Sequence, residues 1–249
     1  MGTDLDTLRQ KLETQRTAPD STPLGVASAL DELGDAIEVR GGVSELLGVR
    51  QEAAELYDVA LGQVHPKTHG ALNNFARALA LAGQLDEAES IYRSVGTINE
   101  SLYGETHPNV AALLNNLASV LETKGQLDEA EFCYRKALEI DEAIYGVEST
   151  SVAIGLSNLA GIHRNRNEYC EAEALYQKAL AIDEKVEGPN HPNIAIRLNN
   201  LGWIYEVQAQ TETAEAAYGR AYEIFHSHHG SEHIRTQTAA INLERIRNR

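Results

Sequence analysis

The sequence predicts an all-α repeat protein made of stacked antiparallel helix pairs, and three observations predict it. Residues recur at a spacing of 42: Tyr92, Tyr134, Tyr176 and Tyr218 keep it, as do Ala88, Ala130, Ala172 and Ala214. Asn74, Asn116, Asn158, Asn200 and Asn242 keep it without a gap. Within a period, Leu114, Leu117, Ala118 and Leu121 follow the i, i+3, i+4, i+7 pattern of one buried helical stripe. Turn residues punctuate each period: Gly125 follows that stripe, and His-Pro stands at His65-Pro66, His107-Pro108 and His191-Pro192, with His233 on the next mark.

The elements follow in order. Residues 1–22 read as a short amphipathic helix, with Leu5, Leu8 and Leu12 on one side, and then a loop. This segment is expected to cap the first repeat, dock on a neighbour or remain flexible. Residues 23–249 are expected to form a single solenoid, with units at about 23–64, 65–106, 107–148, 149–190 and 191–232 and a closing helix at 233–249. The first unit has diverged. Leu30, Leu33 and Gly34 stand opposite Leu72, Phe75 and Ala76, and Gly41 and Gly62 opposite Gly83 and Gly104, but Arg50 stands where later units have Tyr. In the third unit helix A runs from about Pro108 to Lys124. Gly125 ends it as a left-handed residue, and Asn167 takes that place one unit on. Helix B follows with Ala130, Tyr134 and Ala137 inward, small Ala allowing close approach and Tyr filling the gap beside it. A Gly before the next His-Pro breaks helix B, and Pro suits the first turn of the next helix A.

Composition narrows the function classes. The chain has 249 residues, 43% hydrophobic and 23% charged, an ordinary soluble balance. There is no run of about 18 apolar residues that would predict a membrane span. The N-terminus lacks the apolar core of a secretion signal, and Asp6 stands where a myristoylation signal needs Ser or Thr. A formal net charge of −16 argues against a nucleic-acid or anionic-membrane partner. Cys133 and Cys170 lie far apart in helical patterns and read as reduced thiols, which fits a cytoplasmic chain.

At roughly 100° per residue, Asn116 points away from the buried stripe of its helix, together with Ala112, Ser119 and Thr123. In a stack of repeats that direction is a groove. The same four places hold Ser28, Glu32, Asp35 and Val39 in the first unit, and Gly70, Asn74, Arg77 and Leu81 in the second. The fourth unit offers Ile154, Asn158, Gly161 and Asn165; the fifth offers Ile196, Asn200, Trp203 and Val207; the closing helix offers Thr238, Asn242, Arg245 and Arg249. The asparagines thus form a ladder. A side-chain amide can pair with both the C=O and the N–H of an extended peptide, each bond worth about 0.5–1.5 kcal/mol net. The other reading is that these amides bond between neighbouring A helices and stiffen the stack, a role to which the flanking Asn73, Asn115 and Asn199 lean. Trp203 falls opposite its own helix's core stripe. With Ile154, Ile196 and Val207 it reads as an apolar anchor pocket, unless the final helices cover it.

The pattern LNNLA…GxLDEAExxYRKALEI…YG…HP resembles the 42-residue tetratricopeptide repeat of kinesin light chains and their bacterial relatives. The resemblance implies a right-handed superhelix with the A helices lining the concave face. It also implies that Asn74, Asn116, Asn158, Asn200 and, less directly, Asn242 hold a partner peptide. Acidic-cargo recognition in that family needs a strongly basic groove. Here Glu32 and Asp35 lie at the front, Arg77 and Arg164 between, Arg245 and Arg249 at the back, and Glu122 and Glu206 at the edge. The lysines with which chaperone-binding relatives clamp a carboxylate are missing. A mixed, partly apolar peptide is expected, any acidic end lying near the C-terminal repeats.

Other constellations imitate chemistry. His226, His228, His229 and His233 cluster, but His229 precedes the helix-ending Gly230 and His233 is required by the spacing, so a solvated turn is expected and no metal. His163 replaces an apolar stripe residue and reads as a hydrogen-bonded core histidine. The acids of each LDEAE complement a helix dipole. No phosphate-cradling loop, nucleophile elbow, HExxH or dehydrogenase or kinase signature occurs, so neither catalysis nor a cofactor is expected. The expected function is a protein-interaction scaffold holding an extended peptide. The alternatives are self-association as a homo-oligomer and peptide sensing within a larger system.

Overall fold

The computed structural model describes residues 5–248; Arg249, assigned to the groove by the repeat spacing, lies outside the described residues, as do the first four. Twelve α-helices and no strand occur among the described residues. They fall into two compact units, Met1–Gln126 and Leu127–Arg249. The first contains α1 (Leu5–Thr17), α2 (Pro23–Arg40), α3 (Val43–Leu61), α4 (Pro66–Leu81), α5 (Leu85–Tyr103) and α6 (Pro108–Thr123). The second contains α7 (Leu127–Tyr145), α8 (Thr150–Asn165), α9 (Tyr169–Val186), α10 (Pro192–Val207), α11 (Thr211–His229) and α12 (Ile234–Arg247). Within each unit every helix packs on the next, which makes an all-α repeat solenoid. Even-numbered helices from α2 are A helices, and odd-numbered ones from α3 are B helices.

Two turn types alternate. The A-to-B turn needs a residue in the left-handed region: Gly41, Gly83 and Gly125, with φ of 82°, 80° and 77°. Asn167 (φ 63°) and Ala209 (φ 59°) hold the same position in the second unit. The B-to-A turn is equally regular. Gly104 has φ 81° and ψ 163°, a region nearly closed to residues with a Cβ. Each A helix then starts on a capping side chain. His107 Nδ1 accepts from the Asn109 amide at 3.1 Å, and His65, His191 and His233 cap their helices alike. Ser149 does so before α8, accepting from the Val152 amide at 3.4 Å. The histidine of the His-Pro pair is therefore a cap; the sequence reading explained only the proline, by its fit to the first turn.

The core explains the tyrosine spacing. Tyr92, Tyr134, Tyr176 and Tyr218 are all buried, and Ala76, Ala118, Ala160 and Gly202 recur on the A helices as buried small residues. Gly202 is needed where it stands, because a Cβ there would lie 2.7 Å from Tyr218 Cε1. Burial pushes the Tyr92 hydroxyl up to about 12. In the diverged first repeat the buried Arg50 takes the tyrosine's place. A Cβ on Gly34 would lie 2.7 Å from its Cζ. Its guanidinium meets Asp31 at 3.1 Å, Asp35 at 2.5 Å and Glu38 at 3.5 Å. A buried cation requires such company. Helix α1 packs on α2 and covers the first pair, with Leu8 and Leu12 buried beside Val26, Leu30 and Leu33. On α6 the buried stripe is wider than expected: Leu117, Ala118 and Leu121 are buried and Leu114 is half-buried, but Val110, Leu113 and Val120 are buried too. An A helix packs on more than one neighbour, so one stripe does not suffice.

Candidate partner-binding faces

In the first unit, Asn74 and Arg77 project from α4 and Asn116 and Ser119 from α6. Asn116 and Asn74 are half-buried and Ser119 is exposed. The Asn116 side-chain amide donates to Asn73 Oδ1 at 3.0 Å, tying α6 to α4. Arg77 Nη2 donates to Asn74 Oδ1 at 3.3 Å, and its Nη1 is bonded to Glu38. Between α4 and α6 a cavity of about 280 Å³ gathers Arg77, Leu81, Asn116, Ser119 and Thr123. A second, of about 260 Å³, contains Asn73, Tyr103, Asn109 and the buried pair His69 and Asn99. His69 Nδ1 lies 2.8 Å from Asn99 Oδ1, and its Nε2 lies 2.8 Å from Gln63 O. Sequence reasoning did not single out His69. The available signal was that Ala111, Ala153 and Ala195 hold the same register.

In the second unit the pairing recurs at one end. The Asn242 amide donates to Asn199 Oδ1 at 2.9 Å, and Arg245 donates to Asn242 Oδ1 at 3.2 Å and to Glu206 at 2.5 Å. Glu206 is buried and also accepts from the Tyr218 hydroxyl at 3.1 Å. Burial, followed by that carboxylate, raises the Tyr218 pKa. Glu206 is thus an internal counter-ion; the sequence reading had it at the groove edge. Asp35 and Glu32 are likewise engaged, by Arg50 and Lys11. Asn158 is half-buried on α8.

Asn200 differs from the other rungs. The residue that would accept its amide by analogy with Asn73 and Asn199 is Ser157, whose hydroxyl instead donates back to Ala153 O at 3.0 Å. Asn200 is half-buried and carries no side-chain hydrogen bond among the described residues. It lines a cavity of about 240 Å³ between α10 and α12, with Ile196, Phe225, Ile234, Arg235 and Thr238.

The expected apolar patch is divided. Ile196 belongs to the Asn200 cavity. Trp203, 36% exposed, lies under the Arg164 guanidinium, whose Cζ is 5.7 Å from the ring centroid, and edge-on to Tyr169 at 5.9 Å. Ile154 and Val207 are exposed at 43% and 44%. Of the other places read as groove-facing, only Gly161 is buried among the described residues.

His163 Nδ1 lies 2.6 Å from Glu168 Oε2, so this ring is hydrogen-bonded as expected. His226, His228 and His229 are exposed, and His229 stacks on His233 at 4.4 Å. Among the described residues no group of three His, Cys, Asp or Glu side chains could hold a metal ion. Cys133 is buried, Cys170 is exposed, and both are free of disulfides. No helix is long and apolar enough to cross a membrane among the described residues. Two buried acids lie apart from these faces. Asp183 Oδ2 is 3.2 Å from Arg197 Nε without hydrogen-bond alignment. Burial raises the pKa of Asp183 and of Asp141.

The tetratricopeptide-repeat profile matches residues 67–143 and 151–227. Repeats of this kind are in general protein-interaction scaffolds. Among solved structures, BtubC (BKLC) from P. vanneervenii is similar with a TM-score of 0.72 and 23% identity, covering 91% of each chain. A Podosopora anserina kinesin-light-chain candidate with nearly identical TPR-like repeats is similar in two structures. One, of a substituted form, has a TM-score of 0.66 and 22% identity, over 80% of this chain and 94% of that one. The other has a TM-score of 0.62 and 20% identity, over 91% and 98%. No curated protein sequence matches the chain.

Proposed function

We propose that this chain, which belongs to the tetratricopeptide-repeat family, is a non-catalytic scaffold that holds an extended segment of a partner protein on its A-helix faces. The observation that carries the reading is Asn200: a ladder amide with no internal partner among the described residues, set in a cavity with Ile196, Phe225 and Ile234 for walls. An amide in this state offers one acceptor and two donors to a backbone, and the hydrocarbon around it takes an apolar side chain. On the second unit, Ile154, Asn158, Arg164, Trp203, Val207 and Asn242 would extend the contact; on the first, Asn74, Arg77, Asn116 and Ser119 would form a corresponding face. Asn116 and Asn242 each use one N–H internally; the Asn116 carbonyl oxygen is left for a ligand, whereas that of Asn242 accepts from Arg245. Cys133 and Cys170 form no disulfide, which supports a cytoplasmic setting.

The test is selection of binding peptides from a random library, followed by titration with Trp203 fluorescence as the reporter. Asn200→Ala should weaken a selected peptide about fivefold to tenfold, the worth of one hydrogen bond. Ile196→Asp should abolish binding. Retention of parental affinity by both variants and by Asn116→Ala would refute the reading.

A further inference from the structure

The two units differ at one junction between B helices. In the second unit Arg220 on α11 reaches back to α9: its Nη1 lies 2.7 Å from Glu184 Oε1, and its Nη2 donates to Pro189 O at 2.9 Å. Three repeat lengths earlier, the same places hold Ser94, Asp58 and Gln63. A carboxylate, one methylene shorter, and a backbone carbonyl are kept, the carbonyl already paired with His69 Nε2 through one of its two lone pairs, and the guanidinium is missing. Ser94 cannot replace it, because its hydroxyl donates back to Ile91 O at 2.9 Å. Among the described residues Asp58 has no ion pair. A cavity of about 350 Å³ opens there between α3 and α5, lined by Asp58, Glu55 and Gln63 above an apolar floor of Leu72, Phe75 and Ile98. These floor side chains are half-buried, so hydrocarbon is available to a ligand.

We infer that this cavity takes an arginine side chain presented by a partner protein. The second unit shows which group satisfies a carboxylate and a carbonyl so placed. A guanidinium is planar, weakly hydrated and able to donate to both at once while lying on an aromatic face such as Phe75. Lysine would bring a strongly hydrated point charge onto hydrocarbon. A chain of net charge −16 also favours the approach of a basic segment. The site belongs to the B-helix side and does not depend on the A-face reading.

The test is an NMR titration of the full chain with acetyl-Gly-Arg-Gly-amide, beside its lysine and citrulline counterparts. Saturable shifts are expected at the amides of Asp58, Gln63, Ser94 and Ile98. Binding should be about tenfold weaker for lysine and undetectable for citrulline. Ser94→Arg supplies the guanidinium internally and should raise the melting midpoint while abolishing the response. Asp58→Asn should abolish the response without loss of fold. Absence of saturable shifts at those amides overturns the inference. So does equal binding of lysine or citrulline, or an undiminished response in either variant.

Discussion

Asn242 on α12 donates its side-chain amide to Oδ1 of Asn199 on α10, and Asn116 on α6 makes the same bond to Asn73 on α4, each reaching 43 residues back. The paired asparagines of the repeat therefore divide the work. The first of a pair, Asn73 or Asn199, accepts from the repeat that follows; of the second members Asn116 donates, whereas Asn200 makes no such bond among the described residues. This explains why two poor helix formers sit side by side in an A helix.

The pairing predicts unequal costs along the ladder. Asn116→Ala should destabilise by about 0.5–1.5 kcal/mol, and Asn73→Ala by a similar amount. The double variant should cost less than their sum, because both remove one bond. Asn200→Ala, with no internal bond to lose, should be near neutral. Urea denaturation of the four variants measures all of this.

Ala209 occupies the left-handed turn position that glycine takes three times. A residue with a Cβ is disfavoured there by about 1–2 kcal/mol, of which glycine's greater freedom in the unfolded chain returns about 0.4–1 kcal/mol. Ala209→Gly should therefore stabilise by roughly 0.5–1 kcal/mol, seen as a rise in the denaturation midpoint.

Gly202→Ala should act in the opposite direction. The added methyl would start 2.7 Å from a tyrosine ring fixed by its hydrogen bond to Glu206. Overpacking of this kind costs about 1–3 kcal/mol. A drop in melting temperature with an unchanged helical circular-dichroism spectrum is the expected result.

Asp141 predicts a pH dependence. Burial raises its pKa above the ordinary aspartate value, so the folded state holds its proton to a higher pH than the unfolded chain does. The penalty is absent below the unfolded pKa, grows as pH rises through the folded one, and is complete at neutrality. Asp141→Asn should raise the melting midpoint at pH 7, and the gain should shrink as the pH is lowered toward the aspartate range. The preceding repeat already carries Asn99 at this position.

The repeat length, the helix pairs and the outward direction of the A-face residues were legible because they are periodic. A 42-residue spacing repeats the same residues, and a turn of about 100° per residue fixes a side chain's direction. What a side chain meets on another helix is not periodic in that sense. The helical wheel put Asn116 and Asn242 outward, where they are, but could not decide between peptide contact and the bonds to Asn73 and Asn199. It put Glu206 at the groove edge, whereas Arg245 and the Tyr218 hydroxyl hold it buried. Trp203 and Ile196 share a helix face, yet Arg164 and Tyr169 engage one while Phe225 and Ile234 wall in the other. Arg50 was visible as a departure from tyrosine. Its three carboxylates became meaningful only once α2 lay against α3.

The neutralisation of Arg77 by Glu38 and of Arg245 by Glu206 has a practical result. Cations already matched within the molecule release few counterions when something docks beside them. A ligand gripped through the asparagine-bearing helices should hold nearly as well in concentrated sodium chloride as in dilute buffer. Only the approach of strongly acidic ligands, repelled by the chain's own surplus of carboxylates, should become easier as electrolyte is added.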